Sequence, residues 1–89
     1  MTLAEKFSKA YQDSKNLSVK PSNDTLLKLY SHYKQATVGN CNTERPGAFD
    51  PVGQAKYDAW KAVEGTSKNE AMLIYIETVR SCKMTEGVS

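Results

Sequence analysis

Cysteine and histidine are scarce in this chain of 89 residues, and their scarcity argues against a metal centre. Cys41 and Cys82 lie far apart in the sequence and lack the spacing of metal ligands. The single His32 does not complete a zinc site with them, and we interpret it as a polar surface residue. We therefore expect two free thiols and no bound metal, with a Cys41–Cys82 disulfide as the alternative.

Long apolar runs are also lacking, which bears on membrane insertion and secretion. No stretch reaches the roughly 20 apolar residues that a membrane-spanning helix needs. The first ten residues, MTLAEKFSKA, carry Glu5 and Lys6 where a signal peptide requires an apolar segment. We therefore predict a cytoplasmic protein, although a domain cut from a longer chain would show the same features.

An excess of one charge sign is absent as well. Twelve Lys and Arg residues against ten Asp and Glu residues give a net charge of only +2. No basic run interleaved with aromatic residues is present, so we expect no nucleic acid partner. If the protein recognises an anion, a few individually placed lysines must do so.

The usual arrangements of catalytic residues are missing too. The acidic residues form no evident catalytic pair, and Ser31 and Ser67 have no arranged histidine partner. No glycine-rich phosphate loop is present. We therefore predict no catalytic residues and a protein that is not an enzyme.

What is present is helical periodicity within a length that suits one domain, residues 1–89. The pattern predicts an all-α bundle, with helices over about 3–15, 23–38, 51–63 and 68–83 and a long loop over 40–50. Helix boundaries are indicated by Gly39, by Asp50 before Pro51, and by a capping pattern that begins at Ser67. The last residues, from Met84 onward, lack periodicity, and we expect them to fray.

The length of the 40–50 loop bears on the direction of the helices that it joins. Eleven residues at about 3.3 Å each reach about 36 Å, whereas the second helix, at about 1.5 Å per residue, is only about 24 Å long. The loop can therefore return along the whole second helix, and the second and third helices can run parallel. A short link would force them antiparallel.

The second helix carries two different apolar arcs. Leu29 and Ala36 form one arc, which we assign to the core. Another side collects residues at helical spacing, namely Tyr30, Tyr33, Lys34 and Thr37, with Leu26 and Leu27 continuing it upstream. Two phenols and an ammonium at the end of an apolar stripe indicate a surface for a ligand that is part apolar and part anionic.

Lys56 lies in the middle of the apolar stripe of the third helix, which is formed by Val52, Ala59, Trp60 and Val63. Its stem can simply cover apolar surface while the ammonium stays in water. Alternatively, its ammonium lies at the rim of an apolar groove and binds an anion. If the second and third helices are neighbours, Lys34, Lys56 and the Tyr30 hydroxyl converge on one phosphate.

Other candidate residues have structural interpretations of equal merit. Tyr30 and Tyr33 are also typical of core or rim aromatic residues. Tyr75 fits the core of the fourth helix, and Lys15 fits a solvated cation at the end of the first helix.

Four segments, YSHYKQATVG, NTERPG, AKYDAW and GTSKNEA, resemble the acyl-CoA-binding protein family in sequence and in order. The resemblance extends from about Leu3 to Val79. It implies a four-helix bundle with up-down-down-up topology that binds one acyl-CoA across it.

The resemblance also implies a set of ligand contacts. The matching positions are Lys15, Leu26, Leu27, Tyr30, Tyr33, Lys34, Lys56 and Tyr75. Tyr30, Lys34 and Lys56 would surround the ribose 3′-phosphate, and Tyr33 and Lys15 would lie near the adenine and nucleotide. The two leucines would contact the acyl chain, and the tyrosine of the fourth helix would close the site.

The chain departs from the family pattern at a few positions. Tyr57 replaces one member of a common Trp pair, and Val52 and Gln54 occupy positions that are commonly lysine. Ser14 and Cys82 stand at positions that are usually apolar, in the contact expected between the first and fourth helices, so we expect looser packing there.

The function that follows is non-catalytic binding and transport of medium- to long-chain fatty acyl-CoA esters. The ligand is the acyl-CoA itself, with no cofactor. We expect a monomer that meets membranes, and enzymes that make or use acyl-CoA, only transiently. Two other functions fit the pattern, a helical protein-interaction module and a precursor of signalling peptides.

Overall fold

The computed structural model describes residues 1–88, with side chains described through Met84. Its helices are α1 (Leu3–Ser14), α2 (Asn23–Thr37), α3 (Pro51–Ala62) and α4 (Lys68–Val88), and these residues contain no strand. The predicted all-α class is confirmed, and the first three helices end within one residue of the predicted positions.

The prediction for the end of the last helix is wrong. The helix α4 continues to Val88, five residues beyond the predicted end, and includes Met84, which we expected to fray. Apolar periodicity reports which residues pack against a core, whereas a helix ends only where its backbone is capped or broken. The final residue, Ser89, lies outside the described part of the chain.

Each helix begins at a side-chain cap that satisfies an unpaired backbone N–H group. The capping residues are Thr2, Ser22, Asp50 and Ser67, and each accepts from an N–H three residues further on, at 3.0 to 3.3 Å. At α1 the contact is reciprocal, because the Glu5 carboxylate also accepts from the Thr2 backbone N–H at 3.0 Å. These caps explain why the predicted helix starts are accurate.

The helices α2 and α3 run parallel, as the loop length allowed. Three pairs of residues, each 26 positions apart in sequence, face one another along the two helices: Leu26 with Val52, Tyr30 with Lys56, and Lys34 with Trp60. A constant separation in sequence is possible only when the two helices advance in the same direction.

The loop between them is held against α3 by polar contacts. The Arg45 guanidinium donates to both carboxylate oxygens of Asp58, at 3.0 and 3.1 Å. The Gln54 amide donates to the Pro46 carbonyl at 3.1 Å. The hydrogen-bonded turn of this loop runs from Gly47 to Asp50 and leads directly into the cap of α3. The loop therefore fixes where α3 begins.

The helix α4 packs antiparallel to α2. The rings of Tyr33 and Tyr75 lie 6.0 Å apart, whereas Thr25, near the start of α2, lines a small cavity with Cys82, near the end of α4. Cys82 is therefore in the α2–α4 contact and not in the predicted contact between the first and fourth helices. The sequence alone does not show which of the two helices packed against α4 a residue such as Cys82 contacts.

The helix α1 packs along α4 in the same direction, since Phe7 contacts Tyr75 and Asp13 contacts Lys83. The bundle thus has the up-down-down-up topology. Its core is small and consists of Phe7, Ala10, Leu29, Ala36, Ala71, Tyr75 and Val79. Leu29 and Ala36 lie there as predicted.

His32 is buried, so its assignment to the surface is wrong. The residue is 8% exposed, and its ring Nδ1 donates to the Lys28 carbonyl at 2.7 Å. His32 lies three residues after Leu29 and four before Ala36, so it adjoins the predicted core arc, which packs against α4. The hydrogen bond to the backbone satisfies the ring nitrogen in the interior.

The thiols of Cys41 and Cys82 are both free. Within residues 1–84, no three His, Cys, Asp or Glu side chains are grouped as metal ligands. None of the helices described is both long enough and apolar enough to span a bilayer.

Candidate functional site

Two ammonium groups face the seam between α2 and α3, and each lies over an aromatic ring. The Lys56 Nζ is 5.3 Å from the centre of the Tyr30 ring, and the Lys34 Nζ is 4.9 Å from the Trp60 ring. Each pair joins a cation of one helix to a ring of the other. An exposed contact of this kind contributes about 0.5 to 1 kcal/mol. The structure therefore brings Tyr30, Lys34 and Lys56 to one seam.

Trp60 has a second role in this arrangement that we did not predict from the sequence. The indole is only 4% exposed, and its Nε1 donates to the Gly39 carbonyl at 2.8 Å. We had assigned Trp60 to the apolar stripe of α3, yet its face also supports the Lys34 ammonium. A signal was present, because Trp60 follows Lys56 by four residues just as Lys34 follows Tyr30.

An apolar groove continues from this seam toward the beginning of both helices. It has a volume of about 400 Å³, and its apolar lining consists of Leu26, Leu27, Pro51, Val52 and Ala55. Lys56 lines the same groove, so one end of the apolar surface adjoins an ammonium. Val52 remains 65% exposed, in contrast to its assignment to the packed stripe of the third helix. The apolar groove therefore lies next to the positive charge of Lys56.

A second group of candidate residues lies on the other flank of α2, against α1 and α4. Tyr33 stacks on Tyr11 with ring centres 4.9 Å apart and on Phe7 at 5.7 Å. The Lys15 Nζ lies 4.3 Å from the centre of the Tyr11 ring. A hydrogen bond with the Tyr11 phenol raises the pKa of Lys15 above its ordinary value. Lys15 is therefore charged and held beside stacked rings.

Tyr75 belongs to this aromatic group but is 3% exposed. Its hydroxyl donates to the Ser14 Oγ at 3.1 Å, and the Ser14 hydroxyl donates in turn to the Tyr11 carbonyl at 2.6 Å. Burial raises the pKa of the Tyr75 phenol above its ordinary value, against the smaller effect of the bond to Ser14. The polar Ser14 thus serves a buried hydroxyl in the contact between α1 and α4. The core interpretation of Tyr75 fits this position, and its contact with a ligand stays a prediction.

The eight predicted positions therefore fall into two groups that share α2. Five lie along the α2–α3 seam and its groove: Leu26, Leu27, Tyr30, Lys34 and Lys56. The other three lie around the aromatic cluster: Lys15, Tyr33 and Tyr75. Since Tyr30, Tyr33 and Lys34 are within two turns of one helix, a single elongated ligand can reach both groups.

The sequence profile of the family described as "Acyl CoA binding protein" matches residues 4–79, which is most of the chain. The chain belongs to the acyl-CoA-binding protein family. A solved relative, acyl-CoA-binding protein 2 of Oryza sativa, superposes with a TM-score of 0.94 at 45% identity and covers 99% of this chain and 98% of its own. The family and fold expected from the sequence resemblance are thereby confirmed.

Curated relatives of the family differ in overall length. An acyl-CoA-binding protein of Gossypium hirsutum is 51% identical over the full length of both chains. The acyl-CoA-binding domain-containing protein 5 of Xenopus tropicalis is 49% identical over 75 residues, which are 84% of this chain but 16% of that protein. The chain thus spans about a sixth of the length of this larger relative and the full length of the Gossypium hirsutum protein.

Proposed function

We propose that this protein binds medium- to long-chain fatty acyl-CoA esters without catalysis and carries them. The observation that carries the proposal is the pair Lys34 and Lys56, whose ammonium groups each lie over an aromatic ring at the seam of two parallel helices, beside an apolar groove. An acyl-CoA has the matching chemistry, because a phosphorylated nucleotide and a hydrocarbon tail are joined in one molecule. Membership of the acyl-CoA-binding protein family supports the same ligand.

The head group in this proposal is bound by the ammonium groups and the phenol at the seam. In the free protein, each ammonium gains about 0.5 to 1 kcal/mol from the ring beneath it. A hydrogen bond to a charged group contributes about 1.5 to 3 kcal/mol. A 3′-phosphate therefore competes successfully for Lys34 and Lys56, while the rings keep both side chains near the seam until it arrives. Lys15 and Tyr33 would hold the rest of the nucleotide.

The hydrocarbon tail would lie in the groove beside Leu26 and Leu27. Each buried methylene contributes about 0.8 kcal/mol, so a tail of ~14 methylenes gives ~11 kcal/mol at full burial. Association itself costs about 4 to 15 kcal/mol. Burial of the tail can thus drive tight binding, but an apolar groove alone accepts any lipid. Discrimination of CoA esters from free fatty acids must come from the lysines.

The non-catalytic role is supported by the family, whose description names binding, and by the burial of the single histidine. His32 is 8% exposed, and the hydroxyl of Ser14 links Tyr75 to α1. The protein would act by sequestration, as a monomer, shielding the tail from water and delivering the ester to enzymes and membranes. The cytoplasmic location stays a prediction.

Calorimetry tests the proposal with a palmitoyl-CoA and its 3′-dephospho analogue. We expect saturable binding of one ligand per chain and at least tenfold weaker binding of the analogue, which lacks the group that both lysines contact. Equal affinity for both ligands would remove the proposed role of the lysine pair. An absence of saturable binding would favour a helical protein-interaction module instead.

A further inference from the structure

A second groove lies on the outer side of the contact between α1 and α4. Its volume is about 460 Å³, and its floor includes Ala10, Ile76 and Val79. The residues of α1 that line it are 6, 9, 10 and 13, whereas the aromatic cluster uses 7, 11 and 14 of the same helix. None of the eight predicted ligand positions lines it. It is therefore separate from the candidate acyl-CoA site.

Both banks of this groove are positively charged. Lys6 and Lys9 stand on the α1 bank, and Arg80 and Lys83 stand on the α4 bank. Asp13 is the one carboxylate in the lining, so the lining carries a net charge of +3. The whole chain carries only +2, and the remainder of the molecule is therefore net negative. Positive charge is concentrated on this face.

The acidic groups nearby do not remove that excess. Asp13 receives hydrogen bonds from the ammonium groups of Lys9 and Lys83, both at 3.1 Å from its Oδ2. Glu77 pairs with Arg80 at 3.8 Å, and both of these side chains are about 70% exposed. Exposed pairs of this kind contribute little and leave the cations accessible to another anion. Asp13 fixes two of the lysines at the edge of the groove.

We propose that this groove binds an acidic amphipathic helix of a partner protein. Cations on both banks with an apolar floor between them complement a helix whose apolar stripe has carboxylates on each side. From Lys6 to Asp13 the groove runs about 10 Å along α1, which is two helical turns. A partner helix therefore presents apolar residues at i, i+3 and i+7. The apolar surface that the groove offers to such a helix is that of Ile76 and the exposed Met84, because Ala10 and Val79 are only 6% and 2% exposed.

A synthetic probe tests this assignment without knowledge of the natural partner. The probe is a capped alanine-based helix with leucine at i, i+3 and i+7 and glutamate on both flanks of that stripe. We expect saturable binding that weakens with added salt, and perturbed amide resonances along α1 and α4. A peptide of the same composition with its leucines dispersed around the helix is the control, and we expect it to bind at least tenfold more weakly.

Two variants of equal net charge locate the site. Lys6→Glu with Arg80→Glu reverses one exposed cation on each bank, and we expect about tenfold weaker binding of the acidic peptide. Lys61→Glu with Lys68→Glu makes the same change of charge elsewhere, and we expect an affinity within twofold of the parent protein. Neither pair includes a candidate acyl-CoA contact, so binding of palmitoyl-CoA reports separately on the proposed carrier function.

Three results would overturn the proposal. One is no binding of the acidic peptide to the parent protein, and another is equal loss of binding in both variants. The third is binding of phosphatidylserine vesicles through Lys6 and Arg80 with no binding of the peptide, which would assign the face to a lipid surface. Each of these results leaves the proposed acyl-CoA function unaffected.

Discussion

The indole Nε1 of Trp60 donates a 2.8 Å hydrogen bond to the carbonyl oxygen of Gly39. Gly39 has a φ of +103° and follows the end of α2, so this bond joins the last turn of α3 to the point where the chain leaves α2. The face of the same indole lies under the Lys34 ammonium. One side chain thus sets the spacing of the two helices and supports a cation of the candidate site.

Replacement Trp60→Phe retains an aromatic face but removes the indole N–H. The Gly39 carbonyl then loses its partner, and we expect the free energy of unfolding to fall by about 1 to 3 kcal/mol. Urea denaturation followed by circular dichroism measures this change. The replacement Tyr57→Phe, one turn earlier on α3, is the control, because no hydrogen bond of this kind depends on that side chain. An unchanged midpoint for the Trp60 variant would show that the bond contributes nothing.

Replacement Lys56→Gln removes one of the two ammonium groups at the seam but keeps a long side chain over Tyr30. We expect palmitoyl-CoA to bind at least tenfold more weakly, because a charge-assisted hydrogen bond to phosphate is lost. The 3′-dephospho analogue should bind the variant and the parent protein alike. Calorimetry with both ligands measures the difference.

Lys61→Gln is the matched control for that experiment, because Lys61 lies on the same helix and pairs with Glu64 on its surface. We expect no change in acyl-CoA affinity for this variant. If Lys56→Gln weakened both ligands equally, Lys56 would contribute through the apolar groove and not through the phosphate.

Replacement Ser14→Ala removes the hydroxyl that is hydrogen-bonded to the Tyr75 phenol and that can rotate to donate to the phenolate when it forms. The bond to Ser14 partly offsets the effect of burial on this phenol, so we expect the pKa of Tyr75 to rise further above its ordinary value of 10.0. Selective isotope labelling of tyrosine and an alkaline NMR titration measure this shift. Ser8→Ala on the same helix is the control, and a Tyr75 titration that is the same in both variants would contradict the expectation.

The paired lysines at Asp13 predict a dependence of stability on pH. Hydrogen bonds from Lys83 and then from Lys9 hold the pKa of the Asp13 carboxyl below its ordinary value of 3.8. A lowered pKa in the folded state means that the stabilisation is present above pH 3.8 and is lost as the pH falls through the lower folded value.

Unfolding of the parent protein and of Asp13→Asn at several pH values checks this dependence. We expect the variant to be less stable near neutral pH by a constant amount. The two stabilities should converge as the medium is made more acidic than pH 3.8. A difference that persists in strong acid would mean that the side chain acts through packing and not through its charge.

The sequence predicted those features that depend on neighbouring residues. Caps such as Asp50 and the turn of chain at Gly39 are local signals, and they place the helix boundaries correctly. The parallel course of α2 and α3 was also within reach, because the length of one loop permits it. The placement of Lys34 and Lys56 at one seam needed only this topology and helical spacing.

The sequence did not predict how much of the surface of α2 is buried, because that depends on the helices packed against it. His32 is buried because it adjoins the core arc of Leu29 and Ala36, which packs against α4, whereas its polar side chain suggested the surface. Gln35 is another example. Its amide donates to the Asn40 side chain at 2.9 Å and to the Thr66 carbonyl at 2.8 Å, and the latter partner is 31 residues away in sequence.

The facing pairs of α2 and α3 depend on the positions of residues within each helix and not on the length of the loop between them. This determines where the chain tolerates a change of length. Extra residues in the 40–50 loop add only a small closure cost and leave the facing pairs in place. A single residue inserted into α3 ahead of Lys56 would instead turn that ammonium about 100° around the helix axis and away from Tyr30. Length variation is therefore neutral in one segment and disabling a few residues later, although both lie between the same two lysines.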